Sequence, residues 1–233
     1  MENILALIKC HLKENNEIFS ISGPSASGKT TLALQIISNL TKSKKQEKSI
    51  WIQASEPFPK RRLDSLLLKN LPQKKYILRN TFILPCDHVI SSFKEQQELL
   101  RSITTQLYPP GTKYIVIDNI SHHLRLSLSL QRDLSQRSKL VNQFFNEVLF
   151  PLIMRCKREQ INLILIHEVS QDPHSGKIRP FYYKLFNRIE SISFSFQGLI
   201  RFGTQLLYFT LREKPTFQLL YELRDEGLFT CSL

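Results

Sequence analysis

Apolar and polar positions along the chain follow two rhythms: short, nearly all-apolar runs, and longer stretches with a helical period. The runs at residues 18–21, 49–54, 81–84, 114–118 and 162–166 predict strands, the last an apolar strand buried on both faces. Helical periodicity covers 31–40, 61–70 (Leu63, Leu66 and Leu67 on one face), 92–107 and 134–159. Ser92 stands as an N-cap with Glu95 in capping-box register. Pro151 predicts a kink or restart within the last helix, because its ring removes a backbone donor. Pro109-Pro110-Gly111 breaks the chain before the strand at 114–118. From residue 189 onward, strands at 189–196, 206–212 and 217–223 alternate with turn signals.

Strands alternating with helices predict an α/β fold, a mostly parallel sheet flanked by helices. Residues 189–233 predict an appended antiparallel meander, and 1–16 a short amphipathic helix at the N-terminus. There is no internal repeat and no compositional boundary, so 1–233 reads as a single domain.

Residues 23–30, Gly-Pro-Ser-Ala-Ser-Gly-Lys-Thr, match the pattern G-x-x-x-x-G-K-[ST] in full. An apolar run precedes them and a helical stretch follows, the strand–loop–helix context this motif requires. Amides of Gly23, Ser25, Ala26, Ser27 and Gly28 would cradle a β-phosphate at the helix N-terminus, with Thr31 beginning the helix behind them. Lys29 would sit between β- and γ-phosphates, and the Thr30 hydroxyl would take a place on Mg²⁺. A loop that merely turns the chain would explain the glycines but not the Lys-Thr pair. ATP with Mg²⁺ is therefore the ligand the sequence predicts.

Asp118 ends an apolar strand, the Walker B form, where it would hold Mg²⁺ beside Thr30. Hydrolysis also needs a group to orient water. Glu56, at the end of the second strand, is the candidate; a solvated loop carboxylate is the alternative. His167 and Glu168, past the strand at 162–166, are candidates to sense the γ-phosphate, although a strand-end histidine can equally be structural.

Composition sets few further limits. The chain has 233 residues, 42% hydrophobic and 22% charged, as in ordinary globular proteins. No apolar run approaches the roughly 18 residues a membrane span needs, and the N-terminus lacks the build of a signal peptide. Cys10, Cys86, Cys156 and Cys231 have no metal-ligand spacing, which points to reduced thiols and a cytoplasmic setting. The net charge of +12 favours a polyanionic partner such as nucleic acid, with a solvated basic surface as the alternative.

The order of motifs resembles the ATPase core of the RecA/RadA recombinase superfamily. It is most similar to the archaeal RadB-type paralogues, which lack an N-terminal DNA-binding domain. The likeness spans nearly the whole chain. Residues 51–63 resemble the family's Y-I-D-T-E-G-x-F-x-x-x-R-L, with Phe58, Arg62 and Leu63 in register. Ser92-Phe93-Lys94-Glu95-Gln96 resembles T-F-x-E-Q. Residues 163–169 with Gly176-Lys177-Ile178-Arg179-Pro180 resemble the strand, DNA loop and R-P-x-G-G, and residues 211–228 resemble the closing strands. Three positions depart from the pattern. Ser55 stands where the family has its catalytic glutamate, with Glu56 one place later. T-N-Q-V reads Ile166-His167-Glu168-Val169. The two glycines after R-P-x are Tyr182 and Tyr183.

The resemblance implies two DNA-facing loops, 122–137 with Arg125, Arg132 and Arg137, and 170–183 with Lys177, Arg179 and Tyr182. Guanidinium groups and rings on such loops suit single-stranded DNA. It further implies a part in homologous recombination and DNA repair beside a recombinase or other repair protein, with weak or absent hydrolysis. Two alternatives stay open: a nucleotide-binding scaffold without turnover, and a small-molecule kinase with Lys60-Arg61-Arg62 as its lid.

Overall fold

A computed structural model describes residues 4, 17–41, 46–171, 178–181, 183–186, 188–201, 204–211 and 216–231. The expected helix at 1–16, apart from the buried Ile4, lies outside these residues.

Six strands run parallel in the order β8-β1-β5-β4-β2-β3: β1 (Ile18–Ser22), β2 (Lys48–Gln53), β3 (Thr81–Leu84), β4 (Thr112–Asp118), β5 (Asn162–His167) and β8 (Ile192–Arg201). Antiparallel β9 (Thr204–Leu211), β10 (Thr216–Arg224) and β11 (Gly227–Thr230) extend the β8 edge into a nine-stranded sheet. The meander expected from residue 189 is present. Its first strand also completes the parallel sheet against β1. A separate hairpin pairs β6 (Val169–Gln171) with β7 (Ile178–Pro180).

Alternation along the central strands supplies two cores. Phe19, Ile21, Val116, Ile164 and Ile166 face α1 (Lys29–Leu40) and the C-terminal strands. Ile18, Ile115, Ile117, Leu163 and Leu165 face the opposite layer. That layer holds α4 (Phe93–Thr105), α5 (His122–Ser129), α6 (Leu134–Phe144) and α7 (Phe150–Arg158). Both faces of β4 and β5 are covered, which is why these strands read as unbroken apolar runs.

Helix boundaries correct the sequence reading in two places and bear out the restart expected at Pro151. The helix expected over 61–70 ends early, as α2 (Lys60–Leu66), and a second helix that the sequence reading did not assign, α3 (Leu71–Asn80), follows it. Asn70 starts the second, its Oδ1 accepting from the Gln73 N–H at 3.2 Å, and Pro72 sits in the first turn where its missing donor costs nothing. The helix over 134–159 is divided by a π-helical turn, Phe145–Leu149, closed by the Phe150 N–H donating to the Phe145 carbonyl. Pro151 falls in the first turn of α7. Residues 122–129, expected to be a loop, form α5, because His123, Leu124 and Leu128 bury one face. Ser92 caps α4 as expected, accepting from the Glu95 N–H at 3.2 Å. The return bond of the capping box goes instead to Ser91, whose N–H and hydroxyl each meet Glu95 at 2.8 Å.

Among the described residues, no helix is long and apolar enough to cross a membrane. Cys86, Cys156 and Cys231 are free thiols.

Candidate nucleotide site

The carboxyl ends of β1, β2, β4 and β5 open onto one sheet edge, the place where open α/β sheets bind ligands. There a cleft of about 750 Å³ is lined by residues 23–31, Ser55, Glu56, Pro59, Arg62, Asp118, Asn119, Arg125, Glu168, Val169 and Leu223.

The loop's shape depends on its two glycines. Gly28 has φ 97°, a left-handed conformation that L side chains rarely adopt, and no side chain caps α1 behind it. The leading amides of α1 are thus left for an anion. At Gly23 a Cβ would lie 2.5 Å from Phe196 Cβ and 2.8 Å from Ser27 Oγ. Lys29 Nζ donates to the carbonyls of Gly23 (3.0 Å) and Pro24 (2.6 Å), folding back over the loop. Its pKa is lowered by burial, against the opposing pull of Asp118, Glu168 and Glu56.

Thr30 and Asp118 meet directly: Thr30 Oγ1 donates to Asp118 Oδ2 at 2.9 Å. Burial pushes the Asp118 carboxyl up to about 6, helped by Glu56 and opposed by the Thr30 hydrogen bond and Lys29. A buried carboxylate beside a hydroxyl at the head of α1 is the donor set a hard divalent cation takes. The residues therefore fit Mg²⁺ and a nucleotide.

The end of β2 is tied to β4. The Ala54 and Ser55 N–H groups both donate to the Asp118 carbonyl, at 2.8 and 3.1 Å, and the Asn119 N–H donates to Ser55 Oγ at 3.2 Å. Gln53 holds the following segment, its Oε1 accepting from the Phe58 N–H at 3.0 Å and its Nε2 donating to the Pro85 and His88 carbonyls. Ser55 is thus fixed at the strand end, and Glu56 stands exposed at the edge of the cleft.

His167, expected near the γ-phosphate, lies elsewhere. It is fully buried, with its ring centroid 4.2 Å from that of Phe186, and it does not line the cleft. Among the described residues both ring nitrogens lack a hydrogen-bond partner, and burial drives the pKa down to about 3. Glu168 takes the wall position instead. It accepts from His122 Nδ1 (2.9 Å) and Asn119 Nδ2 (3.3 Å) on Oε1 and from Arg125 Nη1 (3.1 Å) on Oε2. Burial opposes its charge, but these three hydrogen bonds outweigh it and hold the pKa below the ordinary glutamate value.

The residues expected on DNA-facing loops separate. Arg125 rises from α5 into the cleft wall. Arg132 is exposed in the connector after α5, and Arg137 sits on α6 with its Nε donating to the Gln131 carbonyl at 2.7 Å. Arg179 is on β7, its guanidinium 4.6 Å from the Tyr183 ring centroid. Lys177 and Tyr182 lie outside the described residues. Lys60-Arg61-Arg62 opens α2, which the fully buried Leu63 anchors to the core, with Arg62 in the cleft wall.

Two residues bracing the site escaped the sequence reading. Tyr221 on β10 donates its hydroxyl to the Ser27 carbonyl, and Gln35 on α1 accepts from the Leu228 N–H at 3.0 Å. No local signal marks either, since their partners are nearly 200 residues away.

A family model of the NB-ARC domain matches residues 1–82, which hold the phosphate loop and β2. No curated protein matches the sequence. Among solved structures, a crystal structure of the RadB recombinase superposes with a TM-score of 0.67, over 92% of this chain and 90% of that one, at 20% identity. Sheet order, phosphate loop and superposition agree: the chain has the fold of a RecA/RadB-like P-loop ATPase core.

Proposed function

We propose that this protein binds ATP with Mg²⁺, contacts single-stranded DNA and assists homologous recombination and DNA repair alongside a recombinase or other repair protein. The observation that carries the nucleotide half is the Thr30–Asp118 hydrogen bond beneath an uncapped α1. The DNA half draws on the net charge of +12, on Arg132 in the connector after α5 and Arg179 on β7, and on the likeness to the RadB recombinase. Lys177 and Tyr182 would join them.

When bound, Mg²⁺ would polarise the terminal phosphates. Thr30 and Asp118 would hold it, the loop amides and Lys29 would bind the phosphates, and Glu56 would have to orient water. Glu56 is exposed and one place beyond the strand-end Ser55, so hydrolysis is slow or absent. The same observation favours a second reading, a nucleotide-dependent scaffold without turnover. Calorimetric titration with Mg-ATP tests the nucleotide half: binding should be micromolar or tighter and should weaken at least tenfold in Lys29→Ala. Equal affinities would refute it. Any turnover should vanish in Glu56→Gln.

A further inference from the structure

We propose that Arg125 distinguishes a nucleoside triphosphate from a diphosphate at this site, a role resting on the nucleotide-binding reading above. The phosphate loop and the Thr30–Asp118 pair account for a β-phosphate and its cation. Arg125 belongs to another part of the wall, built by α5 and the start of β6. Its guanidinium is placed there by two contacts, Nη1 donating to Glu168 Oε2 at 3.1 Å and the Phe181 ring centroid at 5.9 Å. Phe181 is in turn tied to Glu168, its N–H donating to the Glu168 carbonyl at 2.8 Å.

Arg125 and Glu168 line the same cleft as Lys29 and the phosphate loop, so the pair shares the space that would receive the phosphates. A guanidinium carries five donors in a rigid fork, and the pair with Glu168 occupies one nitrogen. The remainder can meet a third phosphate. Glu168 works against that contact in two ways, by competing for Arg125 and by placing a carboxylate near the incoming charge. His122 and Asn119, bound to its other oxygen, lessen the repulsion. A diphosphate, ending at the loop, would gain nothing from Arg125.

The test is the ratio of Mg-ADP to Mg-ATP dissociation constants, measured by calorimetry for the wild type, Arg125→Ala and Glu168→Gln. The wild type should favour ATP. Arg125→Ala should weaken ATP about tenfold or more and leave ADP within about twofold, the loss expected of one charge-assisted contact. Glu168→Gln should strengthen ATP severalfold. An Arg125→Ala variant whose ATP and ADP affinities fall together, or stay unchanged while single-stranded DNA binding drops, would overturn the inference and leave nucleotide binding standing. A wild type that binds neither nucleotide would overturn both.

Discussion

The Tyr221 hydroxyl donates to the Ser27 carbonyl at 2.8 Å, fastening the phosphate loop to the penultimate strand. The same oxygen meets Gln205 Oε1 on β9, and the Tyr221 ring is fully buried, edge-on to Phe196. The C-terminal strands therefore brace the loop as well as extending the sheet. Tyr221→Phe keeps the ring and leaves the Ser27 carbonyl without its donor. It should cost about 1–3 kcal/mol in urea unfolding and weaken Mg-ATP binding. Unchanged stability would show that the bond contributes nothing.

Asp118 exchanges stability for function. Its carboxyl, raised from 3.8 to about 6 by burial, favours the protonated folded state, so the stability it contributes is full below pH 3.8 and lost as pH rises through 6. The gap is about two pH units at about 1.4 kcal/mol each, or about 3 kcal/mol. Asp118→Asn should therefore raise the stability of the ligand-free protein at pH 7.5 by about 2–3 kcal/mol and little at pH 4. It should also abolish the Mg²⁺ dependence of nucleotide binding. Chemical denaturation at the two pH values, with and without Mg-ATP, checks both.

His167 works in the opposite sense. Its pKa falls from 6.5 to about 3 on folding, so the unfolded chain takes up a proton first and stability declines as pH drops from 6.5 toward 3. The slope from this one group is about 1.4 kcal/mol per pH unit. In His167→Leu the decline between pH 6.5 and 4 should be shallower by about one proton. An identical pH profile in the two proteins would mean that the imidazole finds a partner.

Gly23 tests the close packing under the loop. Gly23→Ala places a methyl against Phe196 Cβ and Ser27 Oγ. Overpacking of this kind costs about 1–3 kcal/mol, and displacement of the loop should lower nucleotide affinity with it. Thermal unfolding and nucleotide titration of the variant measure the two effects together.

The phosphate loop, the Asp118 strand and the C-terminal strands were legible because each rests on local spacing or period. What stayed hidden depends on partners distant in sequence. No element is expected over 71–80, yet Asn70 caps α3 and Pro72 fits its first turn. Residues 122–129 read as a loop, but His123 reaches the Ala54 and Ile90 carbonyls at 2.7 and 3.0 Å and holds α5 against the sheet. His167 and Glu168 are adjacent in sequence, and the pleat sends one into the core and the other into the cleft. Arg125 joins the cleft because Glu168, 43 residues later, holds it there.

The most direct measurement is the fluorescence anisotropy of a labelled single-stranded oligonucleotide titrated with the protein, with and without Mg-ATP, at low and moderate salt. The account predicts binding that weakens steeply with salt and that Mg-ATP shifts, with the shift lost in Lys29→Ala. Absence of binding in every condition, or binding indifferent to nucleotide in both proteins, would contradict it.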